Sequence, residues 1–239
     1  MIFSHDFYIG FKFIDKDLKL SNNGILTLFT DIAGMHSEFC GDSFFSSSSR
    51  WLVLGYNVKI FNRPLFASTV TVTTWSSEVD NLTAHREFEI TDKSGNLLIC
   101  GKSKWVGVNA ETKRIERINK EKMALYESEP ERTNFNSDPI GKLNEPETYD
   151  GESLLTVDYK WIDINNHLNN TYYVDISKIS LPENLQQIIT NMNFEIMYKK
   201  EVCEGQTIKV LYKEFNSEIV VSIKSEDEQT LHSVVRFYK

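Results

Sequence analysis

The sequence has few of the features that mark several common classes of protein. Its three cysteines are widely spaced in 239 residues and form no C-x-x-C pair, which predicts no disulfide framework and suits a reducing compartment. Those cysteines and the five scattered histidines do not form a zinc-ligand pattern, so no metal site is expected. The net charge of −8 argues against a nucleic-acid-binding protein, which usually carries a basic face.

Long apolar runs and cofactor fingerprints are also missing. No stretch of eighteen apolar residues is present, so no membrane-spanning helix is expected. There is no G-x-G-x-x-G fingerprint or P-loop, so we expect no cofactor. The first residues lack both the pattern of a secretory signal and the composition of a transit peptide. With 41% hydrophobic and 25% charged residues, the chain is expected to form a packed, soluble core.

The most informative feature that is present is a dense polar cluster in the second half of the chain. Asp163, Asn165 and His167 alternate there, and Asn169 and Asn170 follow. Such a set suits the holding of a water or a carbonyl better than a core, where each buried polar group needs a partner. In an extended segment, the alternation would place the first three side chains on one face. The following two asparagines are predicted to be helix caps.

This cluster resembles the signature of hotdog-fold thioesterases, which Tyr173 completes at the expected spacing. Over nearly the whole chain, the resemblance narrows to the acyl-acyl carrier protein thioesterases, a family of plant plastid enzymes and bacterial relatives. The other segments that carry it are Trp51, residues 58–60, 63–64, 69–75, 86–88, 92–95, 103–106 and 112–114, and residues 198–201. The chain lacks the plastid-targeting extension of the plant members, which implies a bacterial, cytoplasmic enzyme.

Periodicity and the resemblance together predict an α+β fold, a double hotdog. Each of two tandem repeats would have a long helix wrapped by a curved antiparallel sheet. The expected domains are an N-terminal, acyl-chain-binding hotdog at 1–118, a surface linker at 119–150 and a C-terminal, catalytic hotdog at 151–239. The first repeat is predicted to contain a strand at 7–13, a helix at 25–38 capped by Ser21 or Asn22, a Ser-rich loop at 43–49, and strands at 51–61, 70–78, 83–91 and 97–108. The second is predicted to contain a strand at 154–161, a helix at 170–179, a short helix from Pro182, and strands at 192–198, 207–215, 218–224 and 231–238.

The resemblance assigns catalytic positions to Asp163, Asn165 and His167, and to Glu201 in a later segment. We expect His167 and Glu201 to hold and deprotonate the attacking water, and Asn165 to orient the water or the thioester carbonyl. Asp163 would fix Asn165 and His167 by hydrogen bonds. An alternative makes Asp163 the base, as simpler hotdog thioesterases suggest.

One position departs from the family pattern. Plant members carry a cysteine directly after the acidic residue, whereas Val202 stands there in this chain and Cys203 follows. Alternation along a strand would turn Cys203 away from the side of Val202. We therefore expect hydrolysis by activated water without an acyl-cysteine, and a small, buried role for Cys203.

The implied partner is acyl carrier protein with an acyl chain on its 4'-phosphopantetheine arm. Docking to this acidic carrier would need a local basic patch, and two basic runs are available. The first consists of Lys113, Arg114, Arg117, Lys120 and Lys122, and the second of Lys199, Lys200 and Lys209. Candidate substrate-binding residues for the acyl chain are Ile25, Leu28, Phe29, Ile32, Trp51 and Trp75, and each could equally be an ordinary core residue. The fused pair could be a monomer or form a homodimer.

Two other functions compete with this interpretation. An acyl-coenzyme A thioesterase would use the same chemistry on a different pantetheine carrier. A non-catalytic acyl-binding hotdog protein would not need the polar set of Asp163, Asn165 and His167. A dehydratase on the same fold is disfavoured, because it should need fewer amides and a different, glycine-rich helix start.

Overall fold

The computed structural model describes residues 1–44, 49–135, 140 and 142–239. The chain divides into two units, Met1–Ile140 and Gly141–Lys239. Each unit begins with a strand and a short 3-10 helix, continues with helical structure, and then adds four long strands. In the described part of the chain, no helix is both long and apolar enough to cross a membrane.

The first unit contains one long helix and an antiparallel sheet in the order β1-β3-β4-β5-β2, with β6 paired to β5. Its elements are β1 (Ile2–Tyr8), α1 (Asn22–Phe39), β2 (Ser49–Ile60), β3 (Thr69–Val79), β4 (Thr83–Thr91), β5 (Leu97–Asn109), β6 (Ile115–Glu116) and α2 (Lys120–Ala124). The predicted helix and four long strands are confirmed. The predicted strand at 7–13 is wrong, because pairing with β3 ends at Tyr8 and residues Phe11–Phe13 form a 3-10 helix that buries Phe13.

The helix α1 is capped as predicted and packs against the sheet by one apolar face. The Ser21 hydroxyl accepts a hydrogen bond from the Gly24 N–H at 2.9 Å. The Phe29 ring stacks on Phe88 of β4 with 4.3 Å between the ring centroids. Gly101 of β5 makes this approach possible, since a Cβ built there would lie 2.3 Å from Cε2 of Phe29. The close packing of α1 therefore depends on a glycine in the sheet.

Replacing this glycine should destabilise the protein. We expect Gly101→Ala to lower the free energy of unfolding by roughly 1 to 3 kcal/mol, because the added methyl group overpacks the contact with Phe29. Gly34→Ala is a matched control, since a Cβ at this exposed helical position meets nothing within 4 Å. It should raise stability by about 0.5 to 1 kcal/mol. Urea denaturation of both variants measures the difference, and equal changes would contradict the packing argument.

The second unit repeats the strand order of the first, as β7-β9-β10-β11-β8. Its elements are β7 (Gly151–Thr156), α3 (Tyr172–Ile179), α4 (Glu183–Ile189), β8 (Asn193–Tyr198), β9 (Thr207–Glu214), β10 (Glu218–Ser225) and β11 (Leu231–Tyr238). Its helical part is broken near Pro182 into two short helices, as the sequence predicted. The predicted strand at 154–161 is wrong at its end, because Asp158 caps a 3-10 helix at Tyr159–Trp161 by accepting from the Lys160 N–H.

The predicted surface linker is partly buried. Met123, Tyr126, Phe135 and Ile140 are all less than a tenth exposed. The Tyr126 hydroxyl lies 2.7 Å from Ser37 Oγ and donates to the Asp42 carboxylate at 2.7 Å. The polar composition of the segment hid these buried residues, because a few well-spaced apolar side chains are enough to pack such a segment against the core. Residues 136–139 and 141 of the predicted linker and 45–48 of the predicted Ser-rich loop lie outside the described residues, and the domain boundaries stay a prediction.

Candidate active site

The polar cluster of the second unit forms a tight turn, and an isolated β-bridge between Ile162 and Leu168 closes it. The Asp163 N–H donates to the His167 carbonyl at 2.9 Å, and the Asn166 N–H donates to the Asp163 carbonyl at 3.0 Å. The Asp163 carboxylate accepts from the backbone N–H groups of Asn165 at 2.8 Å and His167 at 3.4 Å. This single carboxylate therefore joins the three predicted catalytic positions.

The structure corrects the reason for this grouping. The segment is not extended, because Asn166 adopts a left-handed conformation with φ of 62° and reverses the chain. The three side chains are gathered by an Asx turn centred on Asp163 and not by strand alternation. The predicted hydrogen bonds from Asp163 exist, but they hold the backbone of Asn165 and His167. The Asn165 side-chain amide makes only a long contact of 3.4 Å to the same carboxylate.

Glu201 lies on a segment that is hydrogen-bonded to this turn. The Leu168 N–H donates to the Val202 carbonyl at 2.8 Å. His167 directly precedes Leu168 and Glu201 directly precedes Val202, so this bond joins the two segments that carry them. The Tyr198 hydroxyl donates to the Asn170 carbonyl at 2.8 Å and fastens the start of the same segment. The structure thus brings Glu201 to the polar turn, although 34 residues separate it from His167.

Two further side chains support the site, and sequence reasoning assigned neither of them a role. Tyr173 is buried on α3, and burial raises the pKa of its hydroxyl, with the Glu201 and Asp163 carboxylates raising it further. His232 lies beside the Glu201 segment, where its Nδ1 is 3.1 Å from the Lys200 carbonyl. Burial lowers the pKa of His232 and favours the neutral imidazole. Tyr173 was visible in the sequence signature, whereas His232 had no local signal.

The predictions for the two asparagines and for Cys203 need correction. The Asn169 side-chain oxygen accepts from the Thr171 N–H and hydroxyl, both at 3.0 Å, and forms a turn just before α3. The N-cap of α3 is Thr171, so neither Asn169 nor Asn170 occupies the predicted capping position. Cys203 is exposed, so its predicted burial is wrong. Val202 is fully buried, and the neighbouring thiol is consequently turned to the surface. Residues 201–203 lie outside the strands, so no sheet packing covers the Cys203 side chain.

The first unit builds the same turn at the matching place before α1. The Asp15 N–H donates to the Lys19 carbonyl at 2.9 Å. The Asp15 carboxylate accepts from the N–H groups of Asp17 at 3.0 Å and Lys19 at 3.2 Å. Leu18 has φ of 56°, as Asn166 has in the other turn, and Ile14 bridges Leu20. The Asx turn is therefore a property of both repeats and needs no histidine.

The side chains on the two turns differ. Asp17 and Lys19 occupy the places of Asn165 and His167. Arg63 stands where Glu201 stands, since the Leu20 N–H donates to the Pro64 carbonyl as Leu168 does to Val202.

Arg63 also closes its site. It is buried and donates to the Leu20 carbonyl at 2.6 Å and to Asn22 Oδ1 at 2.7 Å. Only the second unit therefore joins an imidazole and a carboxylate to this turn.

The predicted acyl-chain residues fall into separate places. Ile25, Leu28, Phe29 and Ile32 lie together on the buried face of α1. The Trp51 indole N–H donates to the Asp42 carboxylate at 2.8 Å.

Trp75 lies on the opposite face of the sheet from Thr74, because neighbouring strand residues alternate. Thr74 accepts from Arg86, which also contacts His36 of α1. Trp75 is instead covered by the segment after α2, where its indole donates to the Arg132 carbonyl at 2.9 Å. The structure does not bring Trp75 together with the apolar face of α1.

Within residues 1–44, 49–135, 140 and 142–239, no three His, Cys, Asp or Glu side chains lie together so that they could hold a metal ion.

Comparison with known proteins connects this architecture to one family. The model of the acyl-ACP thioesterase N-terminal domain matches residues 1–126, and that of the C-terminal domain matches residues 144–236. An oleoyl-acyl carrier protein thioesterase from Arabidopsis thaliana is 24% identical over 199 residues, covering 77% of this chain and 53% of its own length. A palmitoyl-acyl carrier protein thioesterase from the same plant is 24% identical over 229 residues, covering 88% of this chain and 55% of its own. The chain spans about half the length of these relatives.

Solved structures share the fold over almost the full chain. An acyl-ACP thioesterase from Bacteroides thetaiotaomicron superimposes with a TM-score of 0.84 at 20% identity, covering 99% of this chain and 97% of that one. A 12:0-ACP thioesterase from Umbellularia californica gives 0.81 at 20% identity, covering 99% and 96%. The expected double hotdog fold is thereby confirmed.

Proposed function

Because the chain belongs to the acyl-acyl carrier protein thioesterase family, we propose that it hydrolyses the thioester of fatty acyl-acyl carrier protein to a free fatty acid and the carrier thiol. The observation that supports this most strongly is the contrast between the two Asx turns. The first unit retains the turn with Lys19 and Arg63, whereas the second carries His167 and Glu201. The same turn forms in the first repeat without a histidine or a glutamate at these two places, so His167 and Glu201 are not needed for folding of the turn, which argues for chemistry in the second unit.

The proposed reaction begins with a water between His167 and Glu201. His167 takes a proton from the water as its oxygen attacks the thioester carbonyl carbon, and Glu201 orients the imidazole or the water. Asn165 donates to the oxygen on which negative charge develops. The C–S bond then breaks, and the proton on His167 passes to the departing thiolate. The new C–O bond leaves a fatty acid, so no group of the protein is acylated.

Asp163 has a different part in this scheme. Its Oδ1 already accepts two backbone N–H groups, which direct this oxygen at the backbone of the turn. The Asp15 carboxylate does the same in the first unit without a catalytic histidine. We therefore assign Asp163 to positioning Asn165 and His167, and not to proton abstraction.

The apolar face of α1 is our candidate for the acyl chain, with Ile25, Leu28, Phe29 and Ile32 as its contacts. A cytoplasmic location is also proposed, because Cys40, Cys100 and Cys203 are all free thiols, as a reducing compartment favours.

Free-thiol release from carrier-linked and coenzyme A-linked acyl thioesters of graded chain length tests the function. We expect turnover of the carrier substrates with the higher kcat/KM. Preferential turnover of the coenzyme A esters would favour the acyl-coenzyme A thioesterase instead. Binding of acyl chains without release of thiol from either series would favour a non-catalytic acyl-binding protein.

A further inference from the structure

The first unit presents a basic hairpin that the proposed chemistry does not use. Lys113, Arg114, Arg117 and Lys120 are all exposed and lie on or just after the β5–β6 turn. None of the four makes an ion pair with another described residue. Residues 111–121 contain four basic and three acidic side chains, a net charge of +1 on a chain of −8. Lys122, the next basic residue, is paired with Asp42 at 2.6 Å and is not counted. This short stretch is therefore positively charged, although the chain as a whole is acidic.

The hairpin is held in a defined shape. The Asn109 side-chain oxygen accepts from the N–H groups of Glu111 at 3.0 Å and Thr112 at 2.8 Å, and the Asn109 N–H donates to the Arg114 carbonyl at 2.9 Å. Lys113 occupies the left-handed conformation with φ of 58°, which favours glycine or asparagine.

Exposed apolar side chains lie beside these charges. Ile115 is 60% exposed on β6. Leu82 is 48% exposed on the neighbouring β3–β4 turn. The Ile118 N–H donates to the Asn81 carbonyl at 3.0 Å and joins the segment after β6 to the β3–β4 turn. We define this surface, consisting of Leu82, Lys113, Arg114, Ile115, Arg117 and Lys120, as the hairpin patch.

The second basic run is a weaker candidate. Lys209 is bound to Glu228 at 2.7 Å and lies 3.8 Å from Glu152, so it is not available to a partner. Lys199 and Lys200 are exposed, but Glu201 and Glu204 bring the net charge of residues 199–204 to zero, against +1 for residues 111–121. Charge complementarity therefore favours the hairpin patch.

We propose that the hairpin patch is the docking surface for the acidic acyl carrier protein. This inference rests on the proposed function, since a carrier-linked substrate brings a protein that needs a surface to bind. Exposed cations that make no ion pair with a described residue would attract the carrier over long range, and Ile115 and Leu82 would supply apolar contact. Coenzyme A has the pantetheine arm but no protein, so it would not use this surface.

The test compares charge reversals at two places on the first unit. Lys113→Glu/Arg114→Glu alters the patch. Lys16→Glu/Lys93→Glu makes the same change of net charge on two other exposed turns, and Lys93 precedes the opposite end of β5. KM and kcat are measured with acyl-carrier and acyl-coenzyme A substrates at low and high salt, and circular dichroism checks folding.

For the patch variant we expect KM for the acyl carrier to rise at least about tenfold at low salt with little change in kcat, and the rise to shrink at high salt. KM for acyl-coenzyme A and both constants of the control variant should change less than about twofold. An unchanged carrier KM, or an equal rise for both substrates, would overturn the docking proposal.

A binding measurement separates this proposal from the proposed function. Fluorescence anisotropy of labelled holo-acyl carrier protein, without an acyl chain, reports docking whether or not the protein turns over any thioester. Weaker binding to the patch variant than to wild type and control supports the docking surface even if hydrolysis fails. Equal binding by all three proteins rejects it even if hydrolysis succeeds.

Discussion

His167→Ala should lower kcat for acyl-carrier hydrolysis by at least about a hundredfold, the low end for the loss of a general base. The imidazole is the group on this turn to which the proposed reaction assigns removal of a proton from the attacking water. The backbone of the turn should survive, because the bonds made by residue 167 within it involve its N–H and carbonyl. KM should therefore change much less than kcat, which steady-state kinetics measures directly.

Lys19→Ala is the matched control for this variant. Lys19 occupies the same place on the turn of the first unit, with the same backbone hydrogen bonds. We expect kcat to change by less than about twofold, because no chemistry is assigned to that turn. A comparable loss of activity in both variants would show that the effect is structural, and a fully active His167→Ala would remove the histidine from the mechanism.

Substitutions of Asp163 should separate positioning from proton abstraction. An asparagine can still accept backbone N–H groups through its side-chain oxygen, so Asp163→Asn should keep the turn and retain kcat within roughly tenfold. Asp163→Ala removes the acceptor, and should lower both kcat and the stability of the protein, the latter by about 0.5 to 2 kcal/mol as for a lost helix cap. Kinetics and urea denaturation of the pair measure the two effects.

The opposite pattern would identify Asp163 as the base. In that case Asp163→Asn should lose at least about a hundredfold in kcat without any loss of stability. The acidic limb of the pH–kcat profile gives a second readout, since it should be unchanged in Asp163→Asn if Asp163 only positions the turn. Asp15→Ala tests the same turn in the first unit, where stability should fall but the pH profile should not shift.

Much of the fold could be predicted from the sequence because its long strands are bounded by recognisable turn residues, such as those at 92–95 and 225–229. The strands at 83–91 and 231–238 were predicted with the bounds that the structure shows. The short elements failed, since the 3-10 helices at Phe11–Phe13 and Tyr159–Trp161 follow strand-like sequence and are set by where pairing stops. Sequence periodicity does not report the length of a partner strand.

The candidate site was found for a reason that was partly wrong. Residue types identified Asp163, Asn165 and His167, but the turn that joins them depends on the left-handed Asn166 and a side-chain-to-backbone bond. The sequence did not reveal that residues 15–19 form the same turn as residues 163–167, because the two turns share their backbone geometry but few side chains. His232 and Arg63 act through contacts distant in sequence, which one chain cannot reveal by pattern.

Rapid-quench analysis of wild-type protein with excess radiolabelled acyl-acyl carrier protein tests the central claim most directly, that water activated at the His167 and Glu201 turn hydrolyses the thioester. Carrier thiol and free fatty acid should appear together from the first turnover, with no label on this chain after a denaturing gel has separated it from the acyl carrier protein. A burst of thiol of about one equivalent per chain with the acyl group retained on the protein would contradict activated water. The absence of both products would contradict the assignment as a thioesterase.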